Sequence, residues 1–158
     1  CGQITAAVVY LPMLDKLYSA ALGQGAFLNG QAIAATNSQS LTKAQVLTTR
    51  TNLEPQHWRG AVPVFQRHHR PSIAYRLALV AEGRFEAMFT FRNSWEWDIA
   101  AGALIATEAG ATVTELGCGP GLPSLAALAA GACATVRKLG VRDSAGLCRA
   151  RADAPCTA

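Results

Sequence analysis

One segment of the sequence, residues 95–110, constrains the fold more than any other. Small and apolar residues recur in it at helical spacing and would form one helix face: Ile99, Gly102, Ala103, Ile105, Ala106 and Ala109. Glycine and alanine on such a face let a second element approach the helix backbone closely. Asp98 opens the helix and Gly110 follows it as a C-terminal cap. The segment therefore predicts a tightly packed helix with a carboxylate at its N-terminal end.

Strand and helix patterns alternate over the first 116 residues, which is typical of an α/β fold with helices layered on a sheet. Asn29 and Gly30 predict a hairpin turn, because both central positions of such a turn take positive φ. Apolar and β-branched runs predict strands over residues 4–10, 17–20, 25–28, 32–33, 46–49, 85–91 and 112–114.

Two further stretches carry helical patterns. Ser72 is placed as the N-cap of a helix that ends at Gly83, with Ile73, Leu77 and Val80 at helical spacing between them. Residues 54–70 are ambiguous, and we interpret them as a helix interrupted near a proline.

The net charge of +4 is unevenly distributed along the chain. Residues 1–116 carry nine basic and eight acidic side chains, whereas residues 117–158 carry five basic and two acidic ones. The larger part is therefore nearly neutral, and its basic residues are scattered, so nucleic-acid binding is disfavoured. With 51% hydrophobic and only 15% charged residues, the chain is also unlike a disordered protein.

Residues 117–158 contain four of the five cysteines, namely Cys118, Cys133, Cys148 and Cys156. Their wide spacing lacks the pairs typical of zinc sites. The sequence shows neither a secretory signal nor an apolar run long enough to cross a bilayer, so we expect a cytoplasmic location, with peripheral membrane association left open.

Asp98 allows two interpretations when it is read alone. It could be a helix N-cap flanked by core tryptophans, which is the commoner case for an aspartate before a helix. It could also supply oxygen ligands to a hard cation such as Mg²⁺.

Residues 97–110 follow the pattern WDxAAGxLIxxEAG, which resembles the C-terminal signature of the inositol monophosphatase superfamily. Residues 7–30 resemble the family's central hairpin region, and residues 72–83 resemble the helix before the aspartate motif. The resemblance covers residues 4–115 in the expected order. It implies that residues 1–116 are the C-terminal part of a layered α-β-α-β-α sandwich of the sugar-phosphatase type.

The resemblance implies a Mg²⁺-dependent phosphomonoesterase. In that family Asp98 would bind the catalytic Mg²⁺, and Trp97 would be the aromatic residue beside it. Ser72 would lie near the loop that contacts the non-phosphate part of the substrate. Arg76 takes the place of a lysine found in 3'(2'),5'-bisphosphate nucleotidases, so it would supply a cation for a second phosphate.

Inositol-specific members carry a glutamate seven residues before the aspartate. Here that position is Phe91, or Thr90 if one inserted residue is allowed, and neither is a carboxylate. These differences favour a nucleotidase that converts 3'-phosphoadenosine 5'-phosphate to AMP and phosphate. The alternatives are an inositol-1-monophosphatase, or a non-catalytic remnant or interaction module that uses the surface of Trp95 and Trp97.

The family's Glu-Glu pair and its Asp-Pro-Ile-Asp-Gly-Thr motif do not occur in this sequence. Because Asp98 alone cannot hold two ions, the catalytic set is incomplete and we expect this chain to be inactive by itself. The resemblance implies a small phosphorylated substrate and a homodimer for a full-length protein. Residues 117–158 depart from the family pattern, and we hypothesise that they come from a shifted reading frame.

Overall fold

The computed structural model describes residues 4–38, 40–92, 94–115 and 134–136. Two helices occur in this part of the chain, α1 (Ile73–Ala81) and α2 (Glu96–Glu108). The strands are β1 (Ala6–Leu11), β2 (Lys16–Ala21), β3 (Ala26–Leu28), β4 (Gln31–Ile33), β5 (Gln45–Leu47), β6 (Gln66–His68), β7 (Ala87–Thr90), β8 (Val113–Glu115) and β9 (Ala134–Val136).

The first four strands form an antiparallel sheet in the order β1-β2-β3-β4. Asn29 and Gly30 connect β3 to β4 with φ angles of 49° and 80°. Both angles are positive, which this two-residue turn requires. The hairpin predicted from the sequence is therefore confirmed.

The other five strands form a second sheet in the order β6-β5-β7-β9-β8, and its strand pairs are parallel. All four residues of β7 are buried. The strand predicted within residues 85–91 is confirmed, and its burial on both faces is typical of a central parallel strand.

The two helices lie between the sheets. Helix α2 contacts β1, β2 and β3 on one side and β8 on the other, while α1 contacts β1 and β7. Buried residues of the first sheet and of both helices form one hydrophobic cluster that includes Tyr18, Leu77 and Ile105. This layered order of strands and helices agrees with the expected α/β sandwich.

Both helices end in the same capping arrangement. Gly83 and Gly110 have φ angles of 73° and 88°, and the amides at and after each glycine donate to carbonyls of the last helical turn. Both predicted helix ends are confirmed.

The helix expected over residues 54–70 is wrong. This stretch contains a short 3-10 turn at Pro55–His57 and the strand β6, which pairs with β5. The tertiary pairing with β5 decides the structure of a stretch whose local pattern was ambiguous.

No helix in the described ranges is long and apolar enough to cross a bilayer. The predictions for the four C-terminal cysteines, and for most of residues 117–158, fall outside the described residues. Strand β9 belongs to that segment and lies between β7 and β8.

Candidate active site

A pocket of about 540 Å³ opens at the edge of the second sheet where β5, β6 and β7 end. These neighbouring strands are parallel, so the residues that follow them meet at one edge. The residues that line the pocket lie at or after the ends of these strands and at the start of α1: Thr49, Thr51, Asn52, His57, His69, Arg70, Pro71, Ser72, Ile73, Arg76, Thr90, Phe91 and Arg92.

The ionisable side chains that line this pocket are all basic. Arg70, Arg76 and Arg92 line it together with His57 and His69, and no carboxylate occurs among the described residues of its wall. A concave surface with several cations of one sign attracts anions. Arginine in particular suits phosphate, because its planar fork can donate two hydrogen bonds to the oxygens.

Arg76 is the most deeply placed of these cations, with only 6% of its surface exposed. Its Nε donates to the Ser72 carbonyl oxygen at 3.3 Å, while its Nη1 is buried without a hydrogen-bond partner in the described structure. Burial lowers the pKa of this guanidinium, and the nearby positive charge of Arg92 lowers it further. A bound anion would offset both effects.

Ser72 marks the start of α1 at the pocket wall. Its hydroxyl accepts a hydrogen bond from the Tyr75 amide at 3.4 Å, which confirms the predicted N-cap. Its φ of 63° and ψ of 129° are unusual for a residue other than glycine. Because Ser72 caps α1 and its carbonyl oxygen accepts from Arg76, the positive end of the helix dipole lies beside Arg76. The dipole also favours an anion at this position.

Buried hydrogen bonds hold the strand ends in place. Thr48 Oγ1 donates to the Phe89 carbonyl at 3.0 Å, and Asn52 Nδ2 donates to Thr48 Oγ1 at 2.9 Å. The Asn52 Oδ1 accepts from the Phe91 amide at 3.4 Å. Asn52 therefore ties the turn after β5 to the end of β7.

Ser72 and Arg76, which the sequence predicts as substrate-binding residues, both line the pocket, whereas Asn52 and the two histidines of the wall were not predicted. A search for polar residues just after each buried parallel strand would have found Thr49 and His69. His57 lies in the stretch for which the sequence predicts an interrupted helix, so its place beside the strand ends could not be predicted.

Asp98 lies in the first turn of α2, half-buried, and it is not among the lining residues of the pocket. Trp95 is the N-cap, so the interpretation of Asp98 as the cap is wrong. The flanking tryptophans are not core residues either. Trp95 and Trp97 are 56% and 71% exposed, and their rings stack with centroids 4.7 Å apart.

The described residues do not fit a complete magnesium site. They contain no group of three or more His, Cys, Asp or Glu side chains that could hold a metal ion. Asp98 supplies only one carboxylate. Mg²⁺ binds six ligands, of which water molecules provide only a part, so further protein or substrate oxygens are needed.

Comparison with known proteins decides the family. The model of the inositol monophosphatase family matches residues 1–149. The chain belongs to the inositol monophosphatase family. Members of this family are metal-dependent phosphatases. The resemblance stated from the sequence is confirmed at this level, whereas a particular closeness to bisphosphate nucleotidases stays a prediction.

Individual members agree with this assignment. The chain is 36% identical to an inositol-1-monophosphatase of Rhizobium meliloti, over 72% of this chain and 46% of that protein. It is also 36% identical to a fructose-1,6-bisphosphatase/inositol-1-monophosphatase of Aquifex aeolicus, over 69% of this chain and 44% of that protein.

A solved structure, the extragenic suppressor protein SuhB of Bartonella henselae, has the same fold. It superposes with a TM-score of 0.59 at 32% identity, covering 69% of this chain and 45% of that one. The chain thus spans less than half the length of the relatives that it matches.

Proposed function

We propose that the protein contributes the substrate pocket of a phosphomonoesterase that acts on 3'(2'),5'-bisphosphorylated nucleotides such as 3'-phosphoadenosine 5'-phosphate. The observation that carries the proposal is Arg76, a buried guanidinium with an unpartnered Nη1 in the wall of a cationic pocket. A buried charge without a partner is unfavourable by itself, and a substrate phosphate would supply the missing acceptor.

The number of cations favours a substrate with more than one phosphate. Arg70, Arg76 and Arg92 line one pocket, and their three positive charges exceed the charge of about −2 that a single phosphate group carries. A bisphosphate offers a second anionic group. Arg76, in the first turns of α1, would hold the phosphate that is not hydrolysed.

Inositol 1-phosphate is the competing substrate, favoured by the names of the relatives from Rhizobium meliloti and Aquifex aeolicus. The hydroxyls of a polyol are recognised best by acceptors such as carboxylates. At the two positions considered for the family's glutamate the chain has Thr90 and Phe91, and both line the pocket. This difference supports the nucleotide.

Asp98, Trp97 and Ser72 keep the roles predicted from the resemblance. We propose that Asp98 supplies one ligand to Mg²⁺ in an assembly that contains the remaining ligands, and that Trp97 and Ser72 contact the substrate. Trp97 is 71% exposed, so its ring is accessible to a ligand. The homodimer and the cytoplasmic location also stay predictions.

The reading frame upstream of this chain tests the assignment as an enzyme. An in-frame Asp-Pro-Ile-Asp-Gly-Thr segment is expected there, and the product of that longer frame should release phosphate in the presence of Mg²⁺. Its kcat/KM for 3'-phosphoadenosine 5'-phosphate should exceed that for inositol 1-phosphate at least about tenfold, which corresponds to about 1.4 kcal/mol.

A preference for inositol 1-phosphate in this assay would show that the substrate assignment is wrong. A start codon directly before the codon of Cys1, without upstream ligands, would instead favour the non-catalytic module. The 158-residue chain alone should release no phosphate, and activity that Asp98→Ala abolishes would contradict that expectation.

A further inference from the structure

The pocket has an aromatic part beside its cationic part. His57 and Phe91 both line it, and their ring centroids lie 5.4 Å apart with an interplanar angle of 47°. His57 is exposed, so its ring is accessible to a ligand. The wall therefore combines guanidinium groups with two flat rings.

The ring of Phe91 is held by other aromatic side chains. Trp58 contacts it edge-on, with ring centroids 5.8 Å apart, and the centroid of the Phe89 ring lies 5.4 Å from that of Phe91. Trp58 is fixed in turn, because its Nε1 donates to the Asn52 carbonyl at 2.9 Å. A supported aromatic surface loses little conformational freedom when a ligand stacks on it.

We infer that His57 and Phe91 form a base-contacting wall that gives the pocket its preference for nucleotides over base-free sugar phosphates. The inference rests on the proposed function, because the arginines must hold a phosphate of the same ligand. Every base has a flat face that can stack on aromatic rings, and a polyol has none. The two residues thus act in specificity and not in the chemical step.

Binding of two small probes to the purified 158-residue chain tests this wall. AMP and ribose 5-phosphate share a phosphate and a ribose but differ in the base. Isothermal titration should give a dissociation constant for AMP about tenfold lower than that for ribose 5-phosphate, because one stacked base increases the affinity by about this factor. His57→Ala and Phe91→Leu should bring the ratio of the two constants close to one, while the constant for ribose 5-phosphate stays within about twofold.

Two variants serve as controls. His57→Phe keeps a ring and should keep the preference for AMP, although it removes the imidazole. Gln56→Ala changes an exposed neighbour outside the pocket wall and should change neither constant. Because His57 is exposed, its variants are expected to fold even if Phe91→Leu does not.

The possible outcomes separate the two proposals. Equal constants for AMP and ribose 5-phosphate, with binding that still depends on Arg76, would overturn the base-contacting wall and leave the phosphate site standing. A preference for AMP that persists in His57→Ala and in folded Phe91→Leu would also overturn it. Failure of both probes to bind would overturn the wall and the proposed function together.

Discussion

Gly102 of α2 lies against Leu77 of α1 so closely that a Cβ at Gly102 would come within 2.8 Å of both the Cβ and the Cδ1 of Leu77. The two helices meet at this point, and Leu77 is fully buried. Leu77 lies in α1 with Arg76, and Ser72 caps that helix, while Gly102 lies in α2 with Asp98. The contact between Gly102 and Leu77 therefore joins the helices that carry the two groups of site residues.

Gly102→Ala should destabilise the protein by about 1–3 kcal/mol, because the added methyl group overpacks the helix contact and outweighs the gain in helix propensity. Urea denaturation followed by circular dichroism measures the change. Gly60→Ala is the matched control, since a Cβ there meets nothing within 4 Å.

The clash with Leu77 can be tested separately. In a Leu77→Ala background, which removes Cδ1 but keeps Cβ, part of the additional loss caused by Gly102→Ala should disappear, as a double-mutant cycle would show. An unchanged loss in that background would mean that the contact with Leu77 Cδ1 does not contribute to the clash.

Arg76→Met should leave the free energy of unfolding of the ligand-free protein unchanged or raise it by about 1 kcal/mol. The substitution removes a buried guanidinium group. The Nε of this group donates to the Ser72 carbonyl oxygen at 3.3 Å, but its Nη1 has no hydrogen-bond partner in the described structure. Thermal unfolding in phosphate-free buffer measures this. A loss of more than about 2 kcal/mol would show that the guanidinium serves the fold and not a ligand.

Ser72→Gly and Ser72→Ala should change stability in opposite directions. Glycine adopts the φ of 63° without strain and loses little as a cap, so the first variant should gain about 0.5–1 kcal/mol. Alanine keeps the strain and loses the cap, so the second should lose about 1 kcal/mol. Chemical denaturation compares them, and equal effects would argue against backbone strain at this residue.

Glu108→Gln should make stability less dependent on pH. The Glu108 carboxylate accepts hydrogen bonds at 2.9 Å from the amides of Gly23 and Gly25, and these bonds lower its pKa. A carboxyl whose pKa is lowered on folding stabilises the protein above its ordinary pKa, and this contribution is lost as the pH falls.

The stability difference between the wild-type protein and Glu108→Gln should therefore be present near pH 7 and shrink as the pH falls below the ordinary pKa of a glutamate carboxyl. Glu54→Gln, at an exposed position, is the matched control. A difference that stays constant across this range would contradict the role given to the two amide hydrogen bonds.

Local signals in the sequence were sufficient for much of the fold. The turn at Asn29 and Gly30 and the glycine caps of both helices are set by backbone requirements within a few residues, so they could be predicted. The small-residue face of α2 indicated a close neighbour, and its contact with Leu77 confirms this. By contrast, β6 depends on pairing with β5, which no local pattern shows.

The candidate site was predicted only in part for a similar reason. Ser72 and Arg76 lie in a helix that the sequence pattern defines, whereas His57, Asn52 and Phe91 come together through the parallel order of three strands. The sequence left open whether Trp95 and Trp97 belong to the core or to a surface, and in the structure they stack on each other at the surface.

Titration of the purified chain with 3'-phosphoadenosine 5'-phosphate tests the central claim most directly. We expect measurable binding by isothermal titration calorimetry, weakened at least tenfold by Arg76→Met, because the loss of one charged hydrogen-bond donor costs about 1.5–3 kcal/mol. Arg67→Met, at an exposed arginine outside the pocket wall, should leave the dissociation constant unchanged. Equal affinities of the wild-type protein and Arg76→Met would contradict the assignment of this pocket to the substrate phosphate.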